Sequence, residues 1–239
     1  MLQVDGLAKS FGIQVAVAGL SFHVARGEVV GLVGANGAGK TTTLLALAGV
    51  LRPDVGQVLI AGHDLAVHPV AARQLLAFVP DEPALFDYLT VEEHLRFMAR
   101  LYGVSNVDQR LPALLAELEL DDRRQSLPDE LSRGMRQKLA LGCAFIHDQQ
   151  VLLLDEPLTG LDPIGIRRMK DAIRRKASNG VAVLLSSHLL DVVHELCDRV
   201  LVLGHGRLLA AGTPQEIVAG GRGPGTGTLE DAVLDLLTE

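Results

Sequence analysis

The sequence predicts an α/β fold in which a largely parallel sheet carries a phosphate-binding loop and a helical segment is inserted partway along the chain. Three observations predict it. Apolar residues come in short bursts at 29–33, 151–154 and 181–185, each bounded by Gly or polar residues, the pattern of strands buried on both faces of a parallel sheet. The first burst runs straight into a glycine-rich loop and then a helical stretch, the order a phosphate site requires. Between 90 and 146 the pattern changes to helical periodicity, with Leu89, Leu95, Phe97, Leu101, Leu111, Leu114, Leu115 and Leu118 set among charged residues.

The composition sets the bounds. A chain of 239 residues supplies one large domain, or a domain with a sublobe, whose core needs no disulfide staples. Cys143 and Cys197 each lie in an apolar periodic segment and read as reduced core thiols of a cytosolic protein, not as a bridge or a metal site. Hydrophobic residues make up 48% and the mean hydropathy is +0.28, yet no apolar run approaches the roughly 18 to 20 residues that span a bilayer. Residues 1–11 lack the cationic flank and long apolar stretch of a secretory signal. A net charge of −7 with no Lys/Arg block argues against a nucleic-acid surface, so no nucleic-acid partner is expected.

The elements follow in order. Residues 2–33 alternate strand-like pieces with turns, a helix is predicted over 40–50, and Arg52-Pro53-Asp54 breaks it. A strand at 57–61, a short helix at 69–76 and a return to the sheet at 77–79 precede the helical insertion. After the strand beginning at Val151 come helices at 163–177 and 188–197, a hairpin turning near 204–206, a glycine-rich linker at 220–227 and a short amphipathic helix at 228–237.

Two motifs carry chemistry. Gly34-Ala35-Asn36-Gly37-Ala38-Gly39-Lys40-Thr41 satisfies G-x-x-x-x-G-K-[ST], whose glycines let backbone N–H groups turn toward phosphate oxygens. In this motif Lys40 neutralises the β and γ phosphates and the Thr41 hydroxyl ligates Mg²⁺. Further on, an apolar strand ends in Asp155-Glu156, at the strand end where parallel sheets bind ligands. Asp155 is placed to hold Mg²⁺ through its water shell, and Glu156 is the candidate general base for attack on the γ phosphate.

Those motifs fix only a P-loop nucleotide hydrolase. Leu131-Ser132-Arg133-Gly134-Met135-Arg136-Gln137 resembles the signature of ATP-binding-cassette proteins, usually Leu-Ser-Gly-Gly-Gln, and it opens a helix read as 135–146. Ser132 and the Gly134 N–H then sit at a helix N-terminus suited to an anion. Leu158-Thr159-Gly160-Leu161-Asp162 is similar to the family's loop that touches the partner across a dimer, with Asp162 as the dimer contact. Ser186-Ser187-His188 ends the next strand with the His expected at the γ phosphate, and Phe11-Gly12 stands where the family stacks an aromatic on adenine.

The resemblance implies a P-loop NTPase fold of the ABC nucleotide-binding type, with a RecA-like core, an antiparallel β subdomain and a helical lobe inserted at about 85–147. It covers residues 1–219, leaving 220–239 as linker and short C-terminal helix. The implied ATP-binding set is Phe11 with Gly34, Ala35, Asn36, Gly37, Ala38, Gly39, Lys40, Thr41 and Thr42; the signature residues Ser132, Arg133, Gly134 and Met135 act in trans. Catalysis falls to Glu156 and His188, and Mg²⁺ to Thr41, Asp81 and Asp155. Asp81, within Phe78-Val79-Pro80-Asp81-Glu82-Pro83, replaces the family's usual Gln, and Arg133 and Met135 replace the commoner Gly and Gln of the signature.

With Lys138-Leu139-Ala140-Leu141 and the closing stretch from Thr228 to Val233, these variants resemble cassettes of the ABC-2 exporter type. Such a cassette works as a homodimer or paired cassette, binds integral membrane transporter subunits, and lies on the cytoplasmic face of the cell membrane. A soluble cassette that serves a scaffold partner, as in iron–sulfur assembly, fits the same motifs.

Overall fold

The computed structural model describes residues 1–220 and 227–238. The chain opens with β1 (Leu2–Phe11), β2 (Gln14–Val24) and β3 (Val29–Gly34), followed by α1 (Lys40–Leu47), β4 (Val55–Ile60), β5 (His63–Asp64), α2 (Pro69–Gln74) and β6 (Leu76–Val79). Three helices come next: α3 (Val91–Leu101), α4 (Val107–Leu118) and α5 (Arg133–Phe145). The remainder is β7 (Val151–Asp155), α6 (Pro163–Ser178), β8 (Ala182–Ser186), α7 (Leu190–Leu196), β9 (Arg199–Gly204), β10 (Arg207–Gly212), α8 (Pro214–Gly220) and α9 (Leu229–Thr238).

These strands form two sheets. One is antiparallel, in the order β2-β1-β4-β5; the other runs β10-β9-β3-β8-β7-β6, parallel except for the β10 edge. Successive side chains of a strand point to opposite faces, and both faces of the parallel sheet are covered. Val151 and Leu153 of β7 join a core that includes Leu44 and Leu47 of α1 and Leu2, Leu20 and Ile60 of the antiparallel sheet. Leu152 and Leu154 join a second core with Ile173 of α6, Val193 of α7 and Leu95, Leu115 and Leu139 of the three inserted helices. Full burial of each such side chain contributes about 1.5–3 kcal/mol, which is why these strands read as unbroken apolar bursts.

Local chemistry sets the helix ends. Thr90 and Glu93 form a reciprocal capping box at α3: the Glu93 N–H donates to Thr90 Oγ1 at 3.2 Å, and the Thr90 N–H to the Glu93 carboxylate at 2.8 Å. α1 stops at Leu47, short of the expected 50, because the N–H groups of Val50 and Leu51 both fold back onto the Leu45 carbonyl. α5 starts at Arg133 with Ser132 as its cap, two residues earlier than expected.

Phe97 and Leu101 lie in a helix, as their periodicity predicts, and face outward at 43% and 65% exposure, since α3 turns only Val91, His94, Leu95 and Ala99 inward. α8 was not expected at all, although Thr213-Pro214-Gln215-Glu216 carries a capping box whose two hydrogen bonds form here. Most of the predicted 220–227 linker lies outside the described residues, whereas the predicted last helix appears as α9, burying Leu229, Ala232 and Val233.

Candidate active site

Four neighbouring parallel strands deliver the candidate residues to one edge. Gly34 ends β3, Ser186 ends β8, Asp155 ends β7, and Asp81 lies two residues beyond β6. The register places Asp155 beside Ser186 and Ser186 beside Leu32, so these ends line up at the carboxyl edge of the sheet. There a cleft of about 740 Å³ opens, lined by Phe11, Gln14, Lys40, Thr41, Asp81, Asp155, Glu156 and His188 among others.

The glycine-rich loop is pinned at both ends. Gly39 has φ +100°, and a Cβ there would lie 2.4 Å from the Ala16 carbonyl oxygen, so only Gly brings the loop this close to β2. Its carbonyl accepts from the N–H and hydroxyl of Thr43, in the first turn of α1. Lys40 Nζ donates to the carbonyls of Gly34 at 2.8 Å and Ala35 at 3.2 Å, closing the loop on itself. Ala38 faces the core, and its carbonyl accepts from the Gly206 N–H at 3.1 Å. The first-turn N–H groups of α1 and the Lys40 ammonium together favour a bound anion.

The acidic side is a hydrogen-bonded relay. Asp155 is 2% exposed and accepts from the Ser186 hydroxyl at 2.5 Å, while that hydroxyl accepts from the Glu156 N–H at 3.0 Å. Glu156 has φ +48°, a left-handed conformation that costs a non-glycine residue on the order of 1–3 kcal/mol. Ser186 and His188 hold it there. Glu156 Oε2 accepts from His188 Nδ1 at 2.8 Å and from the His188 N–H at 3.3 Å, and α7 begins at Leu190, two residues after the expected start.

The oxygens suit a hard divalent cation. Asp81 Oδ1 and Thr159 Oγ1 are both shielded from solvent without a hydrogen-bond partner, and both residues line the cleft. Among the described residues no cluster of three or more His, Cys, Asp or Glu side chains makes a metal cage. Thr41, Asp81 and Asp155 line the same cleft and present oxygens, the donor type that a hard cation such as Mg²⁺ takes.

The tip of α5 is a second anion-suited place. Ser132 Oγ accepts from the Met135 N–H at 3.3 Å, and Gly134 packs so closely on Gly160 that a Cβ would lie 2.8 Å from the Gly160 oxygen. Ser132 and Gly134 do not line the cleft.

A model of the ABC transporter family matches residues 17–159. The chain belongs to that family. It is 38% identical over 91% of its length to Nod factor export ATP-binding protein I of Ralstonia nicotianae, of which it covers 68%. It is 33% identical to the ABC-type transporter ATP-binding protein EcsA of Bacillus subtilis, covering 91% of this chain and 89% of that one. A solved ATP-binding subunit of an ABC transporter superposes over 100% of both chains with a TM-score of 0.93 and 37% identity. This ABC transporter subunit is an ATPase of the P-loop ABC fold, binding ATP and coupling its hydrolysis to transport.

In this ABC transporter chain, the predicted residues fall into four places. Phe11, Asn36, Gly37, Gly39, Lys40, Thr41, Thr42, Asp81, Asp155, Glu156 and His188 share the cleft. Gly34, Ala35 and Ala38 form the back of the loop, and Ser132, Arg133, Gly134 and Met135 lie at the α5 tip. Asp162 caps α6, accepting from the Gly165 N–H at 2.7 Å. Sequence reasoning missed Thr159 and the bridging work of Ser186. Both lie inside motifs it quoted, but pairing between strands 31 residues apart leaves no local signal.

Proposed function

We propose that this ABC transporter subunit powers export through separate integral membrane subunits, as a head-to-tail homodimer or paired cassette with two ATP molecules between the chains. One observation carries the reading: the cleft and the α5 tip are separate surfaces of one chain, each suited to phosphate. A second copy turned head to tail brings Ser132, Arg133, Gly134 and Met135 over each triphosphate, with Asp162 near the contact. The name of the Ralstonia relative supports export as the direction.

Within each cleft Phe11, 52% exposed, offers its face to adenine, and residues 34–42 with Lys40 hold the phosphates. Thr41, Asp81 and Asp155 are the residues that would hold Mg²⁺, which when bound neutralises charge on the phosphate oxygens. Glu156 takes a proton from the attacking water as its oxygen bonds to the γ phosphorus and the bond to ADP breaks. His188 occupies Oε2 and leaves Oε1 for that water. Losing γ phosphate removes contacts that hold the two chains together, and the dimer reopens.

Residues 1–219 form the nucleotide-binding unit, with a helical lobe at about 85–147 and a C-terminal segment at 220–239. Where that lobe meets the β6 end, a groove of about 180 Å³, lined by Phe78, Pro83, Leu85, Phe86 and Met98, is the docking surface for the membrane subunits. Among the described residues no helix is long and apolar enough to cross a membrane, and the subunit is placed on the cytoplasmic face through its partners. Purification from membranes with identification of the bound integral protein, then reconstitution in vesicles, tests the reading. ATP-driven movement of substrate away from the ATPase side is the expected result; a soluble partner, or movement toward that side, contradicts it.

A further inference from the structure

Two of the three departures from the family's usual motifs, Asp81 and Arg133, meet in space. Asp81 follows β6, Arg133 is the first residue of α5, and Arg133 Nη2 lies 3.8 Å from Asp81 Oδ1. The two side chains are 60% and 44% exposed, yet Oδ1 itself is shielded from solvent and receives no hydrogen bond. The guanidinium is thus the cation this oxygen faces. The aliphatic stem of Arg133 also lies across the loop after β7, since a Cβ on Gly160 would sit 3.2 Å from Arg133 Cδ. One side chain therefore touches two loops that border the cleft from the tip of a third element.

We propose that Arg133 is a positioning residue for the nucleotide site: it holds the Asp81 carboxylate toward the tip of α5, and that carboxylate turns to a cation on the nucleotide only when the pair opens. The proposal rests on the reading of Asp81 as a Mg²⁺ ligand. A Gln at this place is neutral and needs no counter-charge, whereas Asp brings a charge that Arg133 balances. Mg²⁺ takes its oxygens at about 2.0–2.1 Å in near-octahedral geometry, and a guanidinium held against the same oxygen presses two cations together. Arg133 and the metal therefore compete. An ion pair this exposed shifts an equilibrium only a few-fold, so it tunes the metal dependence of nucleotide binding without blocking it.

The test titrates Mg²⁺ into the chain with a fluorescent non-hydrolysable ATP analogue, at concentrations where light scattering gives the mass of one chain. Wild type, R133Q, R133K, D81N and the D81N/R133Q double variant are compared. R133Q is expected to lower the half-saturating Mg²⁺ about threefold, R133K to stay near wild type, and R133Q to have no effect in the D81N background. An equal R133Q shift in both backgrounds overturns the proposal, because the guanidinium then acts only through long-range charge; so does an R133Q shift in neither. If D81N alone leaves the Mg²⁺ dependence at the wild-type value, the metal-ligand reading fails, and the proposal fails with it.

Discussion

At the sheet edge Asp155, Ser186, Glu156 and His188 hold one another through four hydrogen bonds, and Asp155, at the inner end of that relay, is 2% exposed. On the α3 side of the inserted helices the reverse holds. Phe86, Tyr88, Phe97 and Leu101 expose 52%, 90%, 43% and 65% of their surface, and Phe86 meets Phe97 edge to face at 5.3 Å between centroids. The first region is built so that no polar group can shift without breaking a partner. The second turns its apolar residues outward, on the side where docking of the membrane subunits is proposed. The candidate chemistry thus sits at the ends of strands buried on both faces, and the proposed docking surface on amphipathic α3 and the loop before it.

Substitutions can sharpen or break that contrast. The largest effect is expected from Lys40→Ala, which removes the ammonium over the phosphates and should lower ATP affinity about 100-fold, read by equilibrium binding. Glu156→Gln should cut hydrolysis by about 10² to 10⁴-fold while ATP binding persists, read by phosphate release beside binding. Normal turnover in that variant would remove Glu156 from the role of base. Ser186→Ala takes away the hydroxyl shared by Asp155 and the Glu156 N–H, and should destabilise the fold by about 1–3 kcal/mol in a denaturant melt. If it does not, the sheet edge is less tightly built than the comparison states.

On the docking side, Phe97→Ser should leave stability within about 1 kcal/mol and weaken recovery of the membrane partner in pull-downs. A large loss of stability would place Phe97 in the core and erase the contrast. The smallest effect concerns Cys197, whose thiol burial pushes up to about 12. Iodoacetamide at pH 8 should leave it unmodified in the native chain, because roughly one thiol in 10⁴ is ionised, and denaturant should restore labelling.

What was legible in the sequence follows the same division. The buried strands announced themselves, since Val151 to Leu154 must be apolar on both faces, and the motif residues were fixed by backbone geometry that few residue types satisfy. Gly39 is one such position, where Ala16 leaves no room for a Cβ. The inserted helices were harder to read, because an outward Phe97 and an inward Leu95 share one helical repeat and only tertiary packing separates them. Equally hidden were contacts between distant segments: the Ser186 bridge, and the meeting of Arg133 with Asp81. Each residue was visible, but its partner was set by the fold.

The account turns on whether one copy's α5 tip completes the other's cleft. Light scattering of the Glu156→Gln variant with and without ATP, repeated with Ser132→Glu added, measures this directly. The mass should double with ATP and stay at one chain when a carboxylate replaces the Ser132 hydroxyl. A mass that ignores ATP, or a doubling that survives Ser132→Glu, contradicts it.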